Sequence, residues 1–251
     1  MINHYILTLK GETKRQEHVK KQFEKLGITP HFFEGTDGRI LSKNELRNLC
    51  INEAMLPGEI GCSESHLRIM KALLLTDKLS AFVFEDDVEF SDRVSVSILT
   101  ELQQFIESKT YPAVLILRKR KRLGKIIYKT KELAIYECFR ATGTISYLIN
   151  RSAAKAVLEE NMPIRFEADA WGTYSAAKIL KLYALDEDLC QEWIGLDGEI
   201  LSTIGLNKYK ACHSMVHKKL VDKYLEEHGY TKFDWLRDSI KAYYYMLKRK
   251  L

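Results

Sequence analysis

The sequence predicts an α/β fold in which a mixed sheet is flanked by helices and followed by a helical C-terminal extension. Short apolar runs rich in aromatic and β-branched residues, such as 80–84 and 113–117, alternate with longer stretches of helical periodicity. At 251 residues and 46% hydrophobic content, the chain can fill one large core. We therefore predict one domain over residues 1–204 and a basic helical extension over 205–251.

A strand and a helix open the chain, and further elements follow in the same alternation. Val19, Phe23 and Leu26 recur at helical spacing after the first apolar run. Ser42 and Glu45 have the spacing of a capping box, which predicts a short helix after Ser42. The predicted strands cover 2–9, 31–35, 80–88, 112–117 and 180–188, with a strand and helix together over 141–158. The other predicted helices cover 11–26, 42–50, 63–76, 91–108 and 235–251.

Three consecutive carboxylates, Glu85, Asp86 and Asp87, end the run 80–88. Ligands of open α/β sheets lie beyond the carboxyl ends of strands, so these acids are predicted to stand at the sheet's rim. Adjacent like charges must be solvated, protonated or neutralised, and Mg²⁺ and Mn²⁺ prefer carboxylate oxygens. Alternation along a strand makes Glu85 and Asp87 a pair for a metal and diphosphate, and leaves Asp86 to anchor the local turn. The alternative is a solvated loop in which an Asp caps a following helix.

Composition excludes several classes of protein. Five scattered cysteines without a CxxC pair argue against a disulfide framework or a zinc site. No apolar run is long enough to span a bilayer and no signal peptide precedes the first strand, so we expect a cytoplasmic protein. The absence of Walker and GxGxxG motifs disfavours ATPases and nicotinamide enzymes. Residues 118–131 hold eight basic residues and no acid, and 205–251 hold eleven basic and five acidic, which indicates an anionic partner.

Two earlier stretches also offer ligand-binding groups. Thr8 and Leu9 end the first strand, where a nucleotide base could be held, and Arg15 opens the next helix, where it could approach phosphate or remain an exposed charge. In the stretch 58–66, two glycines permit close backbone approach to a ligand. Ser65 there adds a hydrogen-bonding group at a helix start, unless it is simply a cap.

The stretches 58–66 and 82–88, separated by a helix, resemble the paired signature of glycosyltransferase family 25. That family includes bacterial lipooligosaccharide galactosyltransferases and collagen galactosyltransferases. Residues 5–9 resemble the family's opening strand, Arg15 its early arginine, and 35–38 its small-residue turn ending in Asp-Gly.

The resemblance extends over residues 2–175 and implies a GT-A type fold with a Rossmann-like mixed sheet. It also implies a UDP-sugar donor, commonly UDP-galactose, a divalent metal (Mn²⁺ or Mg²⁺), and inversion at the anomeric carbon. Carried over by position, Glu85 or Asp86 would face the ribose or sugar, and Asp87 would bind the metal. Glu85, from its alternation with Asp87, is a second metal candidate, and His213 is a candidate from the C-terminal region. The donor-binding candidates are Thr8, Leu9, Arg15, Gly38, Ser65, Glu85, Asp86, Thr142 and Gly143.

An inverting transfer needs a carboxylate that removes the proton of the acceptor hydroxyl. Asp169 lies near the place where the family has Pro followed by Asp, but three extra residues separate Pro163 from Glu167 here, so the choice of Asp169 over Glu167 stays open. We assign the base to Asp169. Its alternative role is to cap the helix that begins near Ala170.

Two basic regions offer contacts for an acceptor. Residues 118–125 follow a strand and could meet phosphates of a lipopolysaccharide core; a flexible, solvated hairpin loop is the alternative. No aromatic platform or motif accompanies this run, so no nucleic acid is expected. Residues 235–251 place apolar side chains on one helical face bordered by basic ones, which suits the surface of an anionic membrane, with packing against the domain as the alternative.

These observations predict an inverting, metal-dependent glycosyltransferase at the inner face of the cytoplasmic membrane. It would move galactose from a UDP donor onto a lipopolysaccharide or lipooligosaccharide acceptor. One alternative is a non-catalytic module of the same fold that binds a nucleotide sugar or an anionic glycan. A second is a phosphate-directed metal hydrolase.

Overall fold

The computed structural model describes residues 2–194, 211 and 214–249, and the elements named below lie within them. The strands are β1 (His4–Thr8), β2 (Phe32–Glu34), β3 (Ser80–Glu85), β4 (Val88–Phe90), β5 (Ala113–Lys119), β6 (Leu123–Lys129), β7 (Ala134–Cys138), β8 (Ser146–Asn150), β9 (Lys181–Leu185) and β10 (Cys190–Glu192). The helices are α1 (Thr13–Lys25), α2 (Lys43–Leu49), α3 (Pro57–Leu74), α4 (Val96–Glu107), α5 (Arg151–Glu160), α6 (Trp171–Ala176), α7 (Met215–Glu227) and α8 (Lys232–Lys248). Among these helices, none combines the length and the apolar character needed to cross a bilayer.

An eight-stranded mixed sheet in the order β2-β1-β3-β8-β5-β9-β7-β6 forms the centre of the described chain, which confirms the predicted fold class. β1 is parallel to β2 and β3, and β5 is parallel to β9, whereas β8 runs antiparallel between β3 and β5. Leu7 pairs with Glu85, and Phe84 pairs with Ser146. The carboxyl ends of β1 and β3 and the residues before β8 therefore meet at one edge of the sheet.

A hydrophobic core lies on each face of the sheet. Helices α3, α5, α6 and α7 cover one face, and α1 and α4 cover the other. Alternation along the strands sends neighbouring side chains to opposite cores: Leu7 and Val83 to the first, Ile6 and Phe84 to the second. These strands are buried on both faces, which explains why their sequences are continuously apolar.

The capping box predicted before α2 is confirmed. The Ser42 hydroxyl accepts a hydrogen bond from the backbone N–H of Glu45 at 3.3 Å, and the Glu45 carboxylate accepts one from the N–H of Ser42 at 2.8 Å. Two N–H groups that the first helical turn leaves without backbone partners are thereby satisfied.

The stretch 58–66 lies inside α3, so the prediction of a helix beginning near residue 63 was wrong. The helix begins at Pro57, whose fixed φ suits the first helical position and whose missing N–H costs nothing there. A Cβ on Gly61 would lie 2.4 Å from the nitrogen of Gly38, and one on Gly38 would lie 1.7 Å from the carbonyl oxygen of Pro57. These two glycines allow a turn of the backbone to pack directly on α3.

The basic run 118–125 is mostly β-strand rather than a flexible loop. β5 continues to Lys119 and β6 begins at Leu123, so only residues 120–122 form the turn. β6 and β7 then pair as an antiparallel hairpin at the edge of the sheet. We did not predict this hairpin, because most β6 side chains are at least partly exposed and its apolar residues do not alternate.

In the described part of the chain, helices α7 and α8 follow strand β10. α7 packs on the first core through Tyr224, which is almost fully buried. α8 begins at Lys232, earlier than predicted, where Thr231 and Asp234 form a second capping box. The predicted domain boundary between residues 204 and 205 lies outside the described residues.

Candidate active site

A cavity of about 670 Å³ opens at the sheet edge where β1 and β3 end. Its walls include the ends of those strands, the residues before β8, and parts of α3, α6 and α7. Every predicted site residue that the structure describes lines it: Thr8, Leu9, Arg15, Gly38, Ser65, Glu85, Asp86, Asp87, Thr142, Gly143 and Asp169. His213, the remaining metal candidate, lies outside the described residues. We take this cavity as the candidate active site.

Asp86 is buried and held by two elements. The Thr8 hydroxyl donates to its Oδ2 at 2.7 Å, and the Arg15 guanidinium donates to its Oδ1 at 3.0 Å. Burial raises the pKa of Asp86, although both hydrogen bonds oppose that rise. Arg15 also lies 3.8 Å from Asp87, so its positive charge is close to both aspartates. Asp86 thus joins β3 to β1 and to the start of α1.

Glu85 contacts a different set of residues from those that hold Asp86. Its Oε1 accepts a hydrogen bond from the Thr144 hydroxyl and lies 3.3 Å from His66 Nε2. The other ring nitrogen of His66 is 2.9 Å from the Tyr147 hydroxyl, which fixes the orientation of the imidazole. Burial acts to raise the pKa of Glu85, but the His66 and Thr144 contacts outweigh it and lower that pKa. These contacts therefore favour the charged carboxylate form of Glu85.

Asp87 has an unsatisfied buried oxygen. No hydrogen-bond donor within the described part of the chain reaches its Oδ1. Burial, with the nearby charges of Glu85, Asp86 and Glu192, raises the pKa of Asp87 to about 7, against the opposing charge of Arg15. A buried carboxylate oxygen without a donor, among further acids, is the environment that a hard divalent cation stabilises. The residues at this point of the cavity fit Mn²⁺ or Mg²⁺.

A second group of possible ligands shares Glu85. Donor atoms of Cys62, His66 and Glu85 all lie within 4.8 Å of one another. A thiol and an imidazole suit zinc better than manganese or magnesium. Burial and the neighbouring carboxylates raise the pKa of the Cys62 thiol well above its usual value, which opposes formation of the thiolate that zinc requires.

The remaining donor-side candidates belong to two backbone turns. Ser65 is buried; its hydroxyl accepts from the N–H of Thr36 at 2.7 Å and donates to the carbonyl of Gly61 at 2.6 Å. It fastens the turn before Gly38 to α3, and because it lies within the helix it does not cap it. On the other side, Arg120 donates to the carbonyl of Thr142 at 2.6 Å.

Asp169 does not cap α6, so that alternative is wrong. The cap position is Ala170, which offers no side-chain hydrogen bond. The Asp169 carboxylate instead accepts the backbone N–H of Gly143 at 2.6 Å, and the Trp171 indole donates to the Gly143 carbonyl at 3.2 Å. Gly143 has φ +89°, a conformation that favours glycine. The start of α6 thereby holds the turn before β8 in place.

Glu167 and His217 both line the cavity and lie next to each other. The sequence did not predict this contact. His217 Nε2 lies 3.4 Å from Glu167 Oε2, and Asn52 Nδ2 lies 2.9 Å from His217 Nδ1. Burial, reinforced by the charges of Asp169 and Glu59, raises the pKa of Glu167 to about 7. His217 therefore meets an acid two residues before Asp169. A detectable signal was the spacing of His217, Val221 and Leu225, which puts one face of α7 on the cavity.

A family model and several curated relatives name one glycosyltransferase family. The model of "Glycosyltransferase family 25 (LPS biosynthesis protein)" matches residues 1–171. A "Glycosyltransferase 25 family member" from Aedes aegypti is 25% identical over 167 residues, covering 62% of this chain and 28% of that protein. A "Putative glycosyltransferase" from Haemophilus influenzae is 22% identical over 204 residues, covering 75% of this chain and 69% of that protein. Human "Procollagen galactosyltransferase 2" is 23% identical over 172 residues, covering 62% and 27%.

The matches to the insect relatives cover only a part of those proteins, between 16% and 31% of their lengths. Two mammalian relatives are named as inactive or probable inactive members of the family. Family membership and catalytic activity are therefore separate questions for this chain.

Proposed function

The chain belongs to glycosyltransferase family 25, and from that premise we propose that it transfers a sugar from a UDP-sugar donor through the cavity at the sheet edge. The proposal rests on the acid triplet, which lines the cavity. Among the described residues, no hydrogen-bond donor reaches one buried oxygen of Asp87. A buried negative charge is unfavourable without a compensating cation, so it is not expected in a site that holds only a neutral ligand. A nucleotide diphosphate with a divalent cation would neutralise it.

The proposed donor site uses groups already held in place. Thr8 and Leu9 at the end of β1 flank the nucleotide, and Arg15 is close enough to the triplet to balance the diphosphate's charge. Asp87 with Glu85 would hold Mn²⁺ or Mg²⁺. When bound, such an ion withdraws charge from the leaving diphosphate. Asp86 has a supporting part, because both of its oxygens already accept hydrogen bonds from Thr8 and Arg15.

On the acceptor side, a carboxylate must take the proton of the attacking hydroxyl. Asp169, the residue assigned from the sequence, and Glu167 both line the cavity. Attack from the face opposite the diphosphate inverts the anomeric carbon. Inversion is therefore part of the proposal.

We propose galactose as the transferred sugar and a lipopolysaccharide or lipooligosaccharide as the acceptor. The description of the matching family and the name of the human relative support these choices. Arg118, near the end of β5, and Arg140, after β7, line the cavity. Cationic side chains at that position suit the phosphates of a glycolipid core.

We propose further that α8 contacts an anionic membrane, which would place the protein at the cytoplasmic face. Phe233, Ile240 and Leu247 are 84%, 60% and 43% exposed, and helical spacing puts them on one side of the helix. Ala242, on the opposite side, is buried against the protein. Basic residues such as Arg237 and Lys241 border the exposed apolar stripe. This combination favours insertion among anionic head groups.

The membrane contact is tested by sedimentation with phosphatidylserine and phosphatidylcholine vesicles. Ile240→Glu should weaken binding to the anionic vesicles, because it puts a negative charge in the apolar stripe. Leu75→Glu makes the same chemical change at another exposed leucine, 88% accessible at the end of α3, and serves as the control. Equal binding of the two variants would contradict the proposal.

The central experiment measures UDP release by the full chain from a panel of UDP-sugars. We expect release that is fastest with UDP-galactose, is lost in EDTA, and returns with Mn²⁺ or Mg²⁺. UDP binding without release from any sugar would instead support the non-catalytic module, for which the relatives named inactive give some precedent. Release of inorganic phosphate would support the metal hydrolase.

A further inference from the structure

We infer, on the basis of the proposed transferase, that Glu167 is the catalytic base, that His217 of α7 positions it, and that Asp169 instead secures the turn at Gly143. The two acceptor-side carboxylates, Glu167 and Asp169, make different contacts through their oxygens.

The two oxygens of Glu167 have different surroundings. Oε2 faces His217 Nε2 at 3.4 Å, whereas Oε1 is buried and has no hydrogen-bond donor among the described residues. The side chain is only 16% exposed, yet it lines the cavity. Oε1 therefore has a vacant lone pair at the cavity wall but almost no exposed surface. A rotation of the Glu167 side chain would present this oxygen to an acceptor hydroxyl in the cavity, as a general base requires.

Asn52 determines how His217 presents its ring. The Asn52 amide nitrogen donates to the Arg165 carbonyl at 2.8 Å, and its oxygen accepts from the N–H of Ala54 at 3.1 Å, so the amide orientation is fixed. The same nitrogen lies 2.9 Å from His217 Nδ1, which must then be the acceptor. We assign the proton of the neutral ring to Nε2, the nitrogen that lies 3.4 Å from Glu167 Oε2. Burial lowers the pKa of His217, which keeps the ring neutral.

Asp169 is already engaged. Its Oδ2 accepts the N–H of Gly143 at 2.6 Å, so this oxygen already holds a hydrogen bond within the turn before β8. Gly143 lies in the turn before Thr144, whose hydroxyl donates to Glu85. Asp169 thus supports the donor side through the backbone, while Glu167 faces the acceptor.

The protonation behaviour of Glu167 agrees with the geometry. Burial first, and then neighbouring negative charge, raises its pKa to about 7, close to the pH at which a base both exists as carboxylate and accepts a proton readily. The titratable groups that face it come from several elements: Glu59 of α3, Asp169, Tyr174 of α6, His217 of α7 and Cys50 after α2.

The step balances within the proposed reaction. The acceptor O–H bond breaks and its proton passes to Glu167 Oε1, while the acceptor oxygen forms a bond to the anomeric carbon. The bond from that carbon to the diphosphate oxygen breaks, and its electron pair leaves with UDP. Glu167 then returns the proton to solvent after product release, and no oxidant or reductant is needed.

The first test compares Glu167→Gln and Asp169→Asn, using UDP-galactose, Mn²⁺ and water as the acceptor. Glu167→Gln should lower kcat by about a hundredfold or more with UDP affinity retained, in line with the loss of a general base. Asp169→Asn keeps an amide oxygen for the Gly143 N–H and should lose less than about tenfold. Glu159→Gln, an exposed acid on α5, is the matched control. The reverse order of the two effects would overturn the inference.

The second test reads the pH profile of kcat/KM. The wild type should show an acidic limb, because protonated Glu167 cannot accept a proton. His217→Leu removes the Nε2 donor that favours the carboxylate and should move this limb to higher pH. His217→Gln can place an amide N–H near the position of Nε2 and should largely restore it. An acidic limb that neither variant moves would show that His217 does not act on the base.

A third measurement does not depend on turnover. A carboxyl group whose pKa is raised in the folded state destabilises the protein at high pH. The loss of stability begins above the pKa of the unfolded state, grows until the pH reaches the pKa of the folded state, and stays constant beyond it. Glu167→Gln should therefore raise Tm at about pH 8 and leave it nearly unchanged at about pH 4. A lower Tm at the higher pH would mean that Glu167 is a structural ion-pair partner, which overturns the inference. A wild type that releases no UDP overturns the proposed function instead.

Discussion

The donor side and the acceptor side of the cavity both present carboxylates, but they are built differently. The donor-side acids, Glu85 to Asp87, are consecutive and end a strand that is buried on both faces. The acceptor-side acids, Glu167 and Asp169, lie on an irregular segment between α5 and α6. The partner of Glu167 is His217, which is itself held by Asn52. Both sides have partners from distant parts of the chain, but only the donor-side acids are adjacent in sequence at the end of a strand.

The two sides also differ in how they balance charge. Arg15 contacts both aspartates of the triplet, but it is one cation against a group of acids. Glu167 has a neutral imidazole for a partner. Burial and neighbouring acids raise the pKa to about 7 for one carboxyl group on each side, Asp87 and Glu167. In the proposed function, a metal ion would neutralise the donor-side acids, and Glu167 would take up a proton on the acceptor side.

The largest expected effect is that of Asp87→Asn on the donor side. The amide removes the charge that would hold the cation, so UDP release should fall by about a hundredfold or more at saturating UDP-sugar. The variant should also be more stable than the wild type above about pH 7, because it removes a buried carboxylate. Asp92→Asn, at an exposed position beyond β4, is the control for activity and thermal unfolding. Full activity of Asp87→Asn would abolish the distinction between the two sides.

A smaller effect concerns the pH dependence of metal binding. The pKa of Asp87 is raised to about 7, and the cation competes with that proton, so Mn²⁺ affinity should fall by about tenfold per pH unit below about 7. Titration calorimetry at several pH values measures this dependence. In Glu167→Gln the slope should be unchanged, since the affected acid lies on the acceptor side. A slope that changes in that variant would mean that the two carboxylate groups titrate together.

The smallest effect is expected for Thr8→Val, which removes the hydroxyl that donates to Asp86. A hydrogen bond to a buried charged group contributes about 2 kcal/mol, so the free energy of unfolding should drop by about that amount. Urea denaturation at neutral pH provides the measurement. Thr100→Val, at an exposed threonine of α4, should change stability by only a few tenths of a kcal/mol. If the two variants are equally stable, Asp86 does not depend on β1 for its position.

The features predicted from the sequence are those that depend on local pattern. Continuous apolar strands, the Ser42–Glu45 capping box and the acids at the end of β3 each follow from a few neighbouring residues. β6, the outer strand of the β6–β7 hairpin, has no such pattern, since most of its side chains are at least partly exposed at the sheet's edge. The role of Gly61 was misread, because a glycine within a helix and one that approaches a ligand look alike in sequence. Its contact with the backbone of Gly38 becomes apparent only when the two segments are packed together.

The site residues divide along the same line. The convergence of the donor-side candidates on one edge follows from parallel pairing of β1 and β3, which the alternation of strands and helices indicated. Glu167 was seen only as an uncertain alternative to Asp169. The contact of Glu167 with His217 brings together residues fifty positions apart, and no spacing rule reports such a distance.

The helix that carries His217 lies beyond residue 171, where the match to the family ends. Changes in that helix can therefore alter the part of the cavity wall that α7 forms without changing the ends of β1 and β3. In the proposed function, such changes would alter the choice of acceptor while the donor site stays the same.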